Sequence, residues 1–175
     1  MSKKIATKTI QYSVYDKTSG SSKYVGDTTT YTRPDIEMQT DSFAGAGIMG
    51  EIDLPTLGQL GAMEGELAFN KSNEAMITLF TPGTHTIEVR WVTNVINTAT
   101  GAVEVQGNKE IIKLMPKSLS LGDIESNETN EASMTYEILS YQYLIGGKSM
   151  IKIDKLNNVF IVNGVDYSAK IRSLL

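Results

Sequence analysis

Cysteine is absent from the 175 residues, and histidine occurs once, as His85. The first absence excludes a secreted disulfide scaffold, a thiol nucleophile and any cysteine-ligated zinc or iron–sulfur site. The second excludes a multi-histidine metal centre. Long apolar runs are missing as well: none approaches the roughly 18 residues that a membrane-spanning helix needs. The basic start Met1-Ser2-Lys3-Lys4-Ile5-Ala6-Thr7-Lys8 lacks the apolar stretch of a signal peptide. Folding in the cytoplasm and no membrane partner are therefore expected. Positive charge is in deficit, with 16 Lys+Arg against 20 Asp+Glu for a net −4. That balance argues against a protein that grips nucleic acid by its phosphates and leaves open one that passes close to DNA without holding it.

What is present is ordinary for a globular chain. The hydrophobic fraction is 41% and the charged fraction 21%, and the length suits a single domain over residues 1–175. Most apolar residues alternate with polar ones in short runs, the mark of half-buried antiparallel strands. Ile10, Tyr12 and Val14 alternate until the turn composition Asp16 to Ser22, and a Thr-rich stretch from Tyr24 to Thr32 ends near Pro34. Ile87, Val89 and Trp91 oppose Glu88 and Arg90, and Val103 and Val105 oppose Glu104 and Gln106. Met134, Tyr136 and Ile138 share one phase whereas Tyr141, Tyr143 and Ile145 take the other, which predicts a bulge near Leu139-Ser140. Gly146-Gly147, Asn157-Asn158 and Asn163-Gly164 read as turns.

One helix is expected, over Asn73 to Phe80, with Asn73 or Ser72 as its cap and Thr81-Pro82-Gly83 as its stop. Between Ser42 and Gly65 the glycines are too close for a helix and too irregular for a strand, so this segment reads as a long loop at 42–65. It carries Ile48, Met49, Ile52, Leu54 and Leu57, apolar side chains that either pack on another subunit or fold back over the chain's own core. From Ser118 to Gly147 there is no Lys or Arg, while five Asp or Glu residues fall there.

Chemical motifs do not add up to a reaction. Gly45-Ala46-Gly47-Ile48-Met49-Gly50 matches a dinucleotide fingerprint by letter, but no buried strand precedes it and Pro55 stops any helix after it. His85 has no nucleophile in a recognisable pairing and reads as a surface residue. The acidic residues from Asp123 to Glu131 lack a calcium-loop framework. No catalytic, metal or cofactor site is expected.

The most distinctive stretch is C-terminal: Ala132 to Tyr136, Tyr141-Gln142-Tyr143-Leu144, a glycine turn, Ile151-Lys152-Ile153-Asp154, and then Val162-Asn163-Gly164-Val165-Asp166-Tyr167. It resembles the major tail tube proteins of contractile-tailed bacteriophages, and Tyr24-Val25-Gly26, Pro34, the Gly45 to Gly50 segment and the short helix follow in the matching order. The resemblance implies a mainly β protein, an antiparallel β-sandwich or barrel with one short flanking helix. It implies hexameric rings stacked into a hollow tube, with the long loop bridging rings. The implied partners are further copies of the chain, the tail sheath protein, and tape measure and baseplate proteins, with DNA in transient passage. The implied location is the inner tube of a virion tail assembled in the host cytoplasm. On that basis the polar faces around Glu88, Glu104, Gln106, Thr135 and Glu137 are candidates for the lumen wall, since lysines there would bind phosphate and stall passage. The tube of a contractile bacteriocin or secretion system and a monomeric β-sandwich binding module are the competing readings.

Overall fold

The computed structural model describes residues 3–175; Met1 and Ser2, where the basic start begins, lie outside the described residues. The elements run β1 (Lys4–Asp16), β2 (Lys23–Val25), β3 (Thr28–Thr32), β4 (Met38–Phe43), β5 (Ile52–Leu60), β6 (Glu64–Phe69) and α1 (Glu74–Leu79). There follow β7 (His85–Asn97), β8 (Val103–Ser120), β9 (Ala132–Ile145), β10 (Lys148–Asp154), β11 (Val159–Val162), β12 (Val165–Asp166) and α2 (Ala169–Leu174). All described pairings are antiparallel, and the main sheet has the order β12-β11-β10-β9-β8-β7-β1-β2 with β3 and β6 branching from β9. Short turns join β9, β10, β11 and β12 in sequence, whereas residues 121–131 link β8 to β9 and β7 pairs with the distant β1.

The sheet has two chemically different faces. Directly opposed residues share a face, so Ile87 and Ile112, then Leu114 and Ile138, stand together on the side that β3, β6 and α1 cover. Val14, Val89, Met134, Tyr136 and Ile153 complete this core. The register between β8 and β9 shifts between Lys113–Ser140 and Leu114–Ile138, leaving Leu139 as the extra residue. The expected bulge is there, and it explains how Ile138 and Tyr141 both face inward.

α1 forms where its signals place it. The Asn73 side chain accepts a hydrogen bond from the Met76 amide at 2.8 Å, and Met76 and Leu79 are the buried side of the helix. Four expectations need correction. A second short helix, α2, follows Ser168, where the residue pattern carried no periodicity long enough to register. Among the described residues the main sheet stays open rather than closing into a barrel, with β2 and β12 at its ends. His85 is buried, its Nε2 donating to the Thr81 carbonyl at 2.8 Å.

The fourth correction is the largest. Residues 42–65 are no loop: they contain the end of β4, all of β5 and the start of β6. β4 and β5 make a separate two-stranded sheet in which Phe43 opposes Ile52, Asp41 opposes Leu54, and Thr40 opposes Pro55. A ribbon with both outer edges free tolerates Pro55, whose missing N–H would break a central strand. Half of the six glycines that argue against a strand, Gly45, Gly47 and Gly50, lie in the connecting turn.

Candidate assembly surfaces

The β4–β5 hairpin stands apart from the core. Every residue of β4 is exposed, and along β5 only Gly58 and Leu60 are half-buried. Phe43, Ile52 and Leu54 share one face by register, Met49 at the turn is fully exposed, and Ile48 beside it is partly covered. Leu57 is exposed further down β5. Among the described residues the hairpin is seated only at its base. There Gly61 donates to the Glu37 carbonyl at 3.0 Å, and Gly58, at φ +76°, leaves a gap in which a Cβ would lie 3.3 Å from Ile171 of α2 and 3.4 Å from Ser168. C-terminal helix and hairpin base thus hold one another through a position that only glycine fills without strain.

The candidate lumen residues do not share one face. Glu104 and Gln106 oppose Val95 and Thr93, on the core side of β7 and β8. Glu88 opposes Ile111, and Met115, in phase with Ile111, opposes Glu137, so Glu88, Thr135 and Glu137 lie on the opposite side. Glu104 is exposed and paired with Lys4 at 2.5 Å. Glu137 is half-buried, accepting from Lys155 at 2.9 Å and from the Met63 amide at 3.2 Å. Thr135 shares a 2.5 Å hydrogen bond with Ser118.

Glu88 is not on the surface at all: it is 0% exposed. Lys17 lies 2.8 Å from its carboxylate, Arg90 pairs with it, and Lys109 stands at 3.9 Å. Burial raises its pKa, but the hydrogen bonds from Lys17 and Arg90 and the charge of Lys109 more than offset this and hold it below the ordinary glutamate value. Its three cations cover it like a lid, so this face presents basic groups to solvent where alternation suggested an acid.

Sequence reasoning missed a second buried carboxylate, Glu110. Its inward phase with Ile112 and Leu114 is the signal that would have found it, because a charge at a core position demands partners. The partners converge from β3, the segment just after it, and β9. Tyr31 of β3 donates at 2.5 Å, Arg33 just beyond β3 donates through Nε at 2.7 Å, and Tyr141 of β9 donates at 2.6 Å. The Arg33 guanidinium also lies over Tyr143 at 4.6 Å and Trp91 at 5.3 Å, while those two rings stack at 5.7 Å. Trp91 is therefore a half-buried platform for Arg33 on the rim of the core. Burial, with added repulsion from Glu110, pushes the Tyr31, Tyr136 and Tyr141 phenols well above their ordinary pKa. For Arg33 burial works against the charge, but the bond to Tyr141 and the charge of Glu110 prevail, so its pKa is raised.

This network ties β3 to β8 and β9 and leaves the hairpin that follows β3 to project from a rigid frame. Nothing in it offers a nucleophile beside a base. Among the described residues no cluster of three or more His, Asp or Glu has the geometry of a metal site. The arrangement is that of a structural module whose exposed parts are an apolar hairpin and open sheet edges.

Comparison with known proteins points the same way. No curated protein matches the sequence. Among solved structures, the chain is similar to the sheath/tube terminator of an extracellular contractile injection system, PVC, in its extended state. The two are 13% identical, 77% of this chain and 94% of the other are covered, and the TM-score is 0.52. It is also similar to a chain of the PVC sheath-tube complex in the extended state, at 12% identity, 77% and 88% coverage and a TM-score of 0.51. At identities this low the structural likeness shows a shared fold alone. The family described as phage tail tube protein FII matches residues 15–175, from the end of β1 through every later strand to the C-terminal helix, and the chain belongs to that family.

Proposed function

We propose that this tail tube protein assembles as hexameric rings that stack into the inner tube of a contractile phage tail, and that the tube is the conduit for DNA delivery into the host. The role is structural and non-enzymatic. The observation that carries the reading is the β4–β5 hairpin, which exposes apolar side chains that a lone subunit leaves uncovered. Ile48, Met49, Ile52, Leu54 and Leu57 are the proposed contacts between rings.

The sheet supplies a way to close each ring. β1 pairs with β2 only through Val14, Tyr15 and Asp16, so on that side Lys4 to Ser13 form a free edge among the described residues. Such an edge is a hazard in a monomer, and joining edge to edge around a symmetry axis removes it. One sheet face lines a lumen, so Glu104 and Gln106 remain the proposed lumen residues, and Thr135 and Glu137, on the other side, and the buried Glu88 are left out. The tail sheath surrounds the tube in this reading, with tape measure protein inside and baseplate proteins at one end.

Electron microscopy of the purified protein tests the assembly: hollow tubes are expected, and a stable monomer overturns it. Charge reversal tests the conduit. Glu104→Lys should slow DNA ejection from well-formed tails whereas Glu137→Lys, on the other side of the sheet, should not, and ejection unchanged by Glu104→Lys ends the lumen assignment. A second reading has support in the PVC structures, whose names describe an extracellular contractile injection system. Particles that carry no genome would favour it.

A further inference from the structure

The hairpin has a counterpart elsewhere in the chain. Beyond the core, β1, β7 and β8 continue as a three-stranded arm, and one cross-strand row of it reads Ile5, Ile96, Val103, with Ile5 opposite Ile96 and Ile96 opposite Val103. Val105, two residues from Val103, lies on the same face. These side chains are open to solvent, Ile5 at 45%, Val103 at 64% and Val105 at 68%. No described residue covers them, and the hairpin of the same subunit, itself exposed, lies elsewhere.

Charge distinguishes the two surfaces. No Lys or Arg occurs between Arg33 and Lys71, and the hairpin region carries Glu37, Asp41, Glu51 and Asp53. No Asp or Glu occurs before Asp16, and the arm carries Lys3, Lys4 and Lys8. Lys4 is engaged with Glu104. Among the described residues Lys3 and Lys8 make no ion pair, and neither do Asp41 and Asp53. One chain thus bears an acidic apolar ribbon and a basic apolar sheet face, each with unspent charge and uncovered hydrocarbon.

We propose that the Phe43–Ile52–Leu54 face of the β4–β5 hairpin docks on the Ile5–Ile96–Val103 face of a second copy of this chain, steered by Lys3 and Lys8 against the hairpin's carboxylates. This rests on the self-assembling tube reading and gives the hairpin its receptor. Burial of the two apolar faces supplies the driving force. Opposite charge around them selects the partner surface and rejects hairpin-on-hairpin and arm-on-arm contacts, which set like charges together.

The absence of cysteine makes the contact easy to test. Leu54→Cys and Val103→Cys chains are prepared separately, mixed, assembled and oxidised, with Leu54→Cys plus Leu156→Cys as the control pair. All three positions are exposed, so the substitutions spare the fold. The expected result is roughly tenfold more disulfide-linked heterodimer than in the control, since a bridge forms only between Cα atoms within about 7 Å. Lys8→Glu should lower the yield, and Asp41→Lys in the partner chain should restore it. Tubes that form by microscopy without cross-linking above the control overturn the docking and leave the tube reading intact. A mixture that neither assembles nor cross-links overturns both.

Discussion

The Tyr141 hydroxyl donates to Glu110 at 2.6 Å in a contact buried from solvent. Since Tyr31 and Arg33 reach the same carboxylate, Glu110 is where the strand leading to the hairpin is fastened to the main sheet. Removing the acceptor leaves two buried hydroxyls and a guanidinium without it. Glu110→Ala should cost about 2–3 kcal/mol, mainly from the Tyr31 and Tyr141 hydroxyls losing their acceptor, since the Arg33 side chain is half-exposed. A urea denaturation midpoint unchanged from the parent's would show that the network carries no stability. Arg33→Lys keeps the charge but loses the planar fork and its stacking on Tyr143, and about 1–2 kcal/mol of loss is expected.

The same network sets a limit in alkali. Tyr31, Tyr136 and Tyr141 have folded-state pKa values raised above the ordinary value. A raised pKa stabilises the fold fully below the unfolded value, about 10 for tyrosine, and that stability is lost as pH climbs past it, because only the unfolded chain releases the protons. Urea midpoints should hold level from pH 8 to about 9.5 and fall steeply by about pH 11. Absorbance at 295 nm should show part of the eight-tyrosine signal appearing only on unfolding. A smooth titration of all eight in the native protein would contradict the burial of these phenols.

Much of this architecture was legible in alternation. Ile87, Val89 and Trp91 against Glu88 and Arg90 marked β7, and the phase change across Leu139 located the bulge, because a strand's period of two records which side chains face the core. The same rule failed where burial is not hydrophobic. Glu88 alternates as a solvent residue yet is sealed by Lys17, Arg90 and Lys109. Lys17 comes from the turn just after β1, a proximity that period-two counting does not contain. β4 and β5 escaped notice for a different reason: a ribbon exposed on both faces has no buried side to impose a period. For the candidate assembly residues, the apolar character of Ile48, Met49, Ile52, Leu54 and Leu57 is legible in the sequence, but the hairpin that exposes most of them is not.

Gly65 tests the packing between β6 and β9. It opposes Tyr136 in the ladder, and a Cβ at Gly65 would lie 2.7 Å from the Tyr136 ring. With Tyr136 fully buried, the ring has no free space to move into. Gly65→Ala should destabilise by about 1–3 kcal/mol, in the range for overpacking. Thermal melting measures it, and Tyr136→Leu in the same chain should recover part of the loss by vacating the contact. A variant as stable as the parent would place the ring elsewhere.

Substitution in the hairpin should separate folding from assembly. Ile52, Leu54 and Leu57 are exposed in the subunit, so serine at all three removes little burial, and each change should shift monomer stability by no more than about 0.5 kcal/mol. In an assembled tube the same side chains exchange water for a neighbour's apolar surface. There the loss reaches roughly 1.5–3 kcal/mol for each fully buried side chain, repeated at every equivalent contact. The triple variant should melt like the parent at low concentration yet sediment as monomers or single rings where the parent forms long tubes. Tubes of normal length from a variant carrying all three serines would show that the hairpin's apolar face is not what joins the rings.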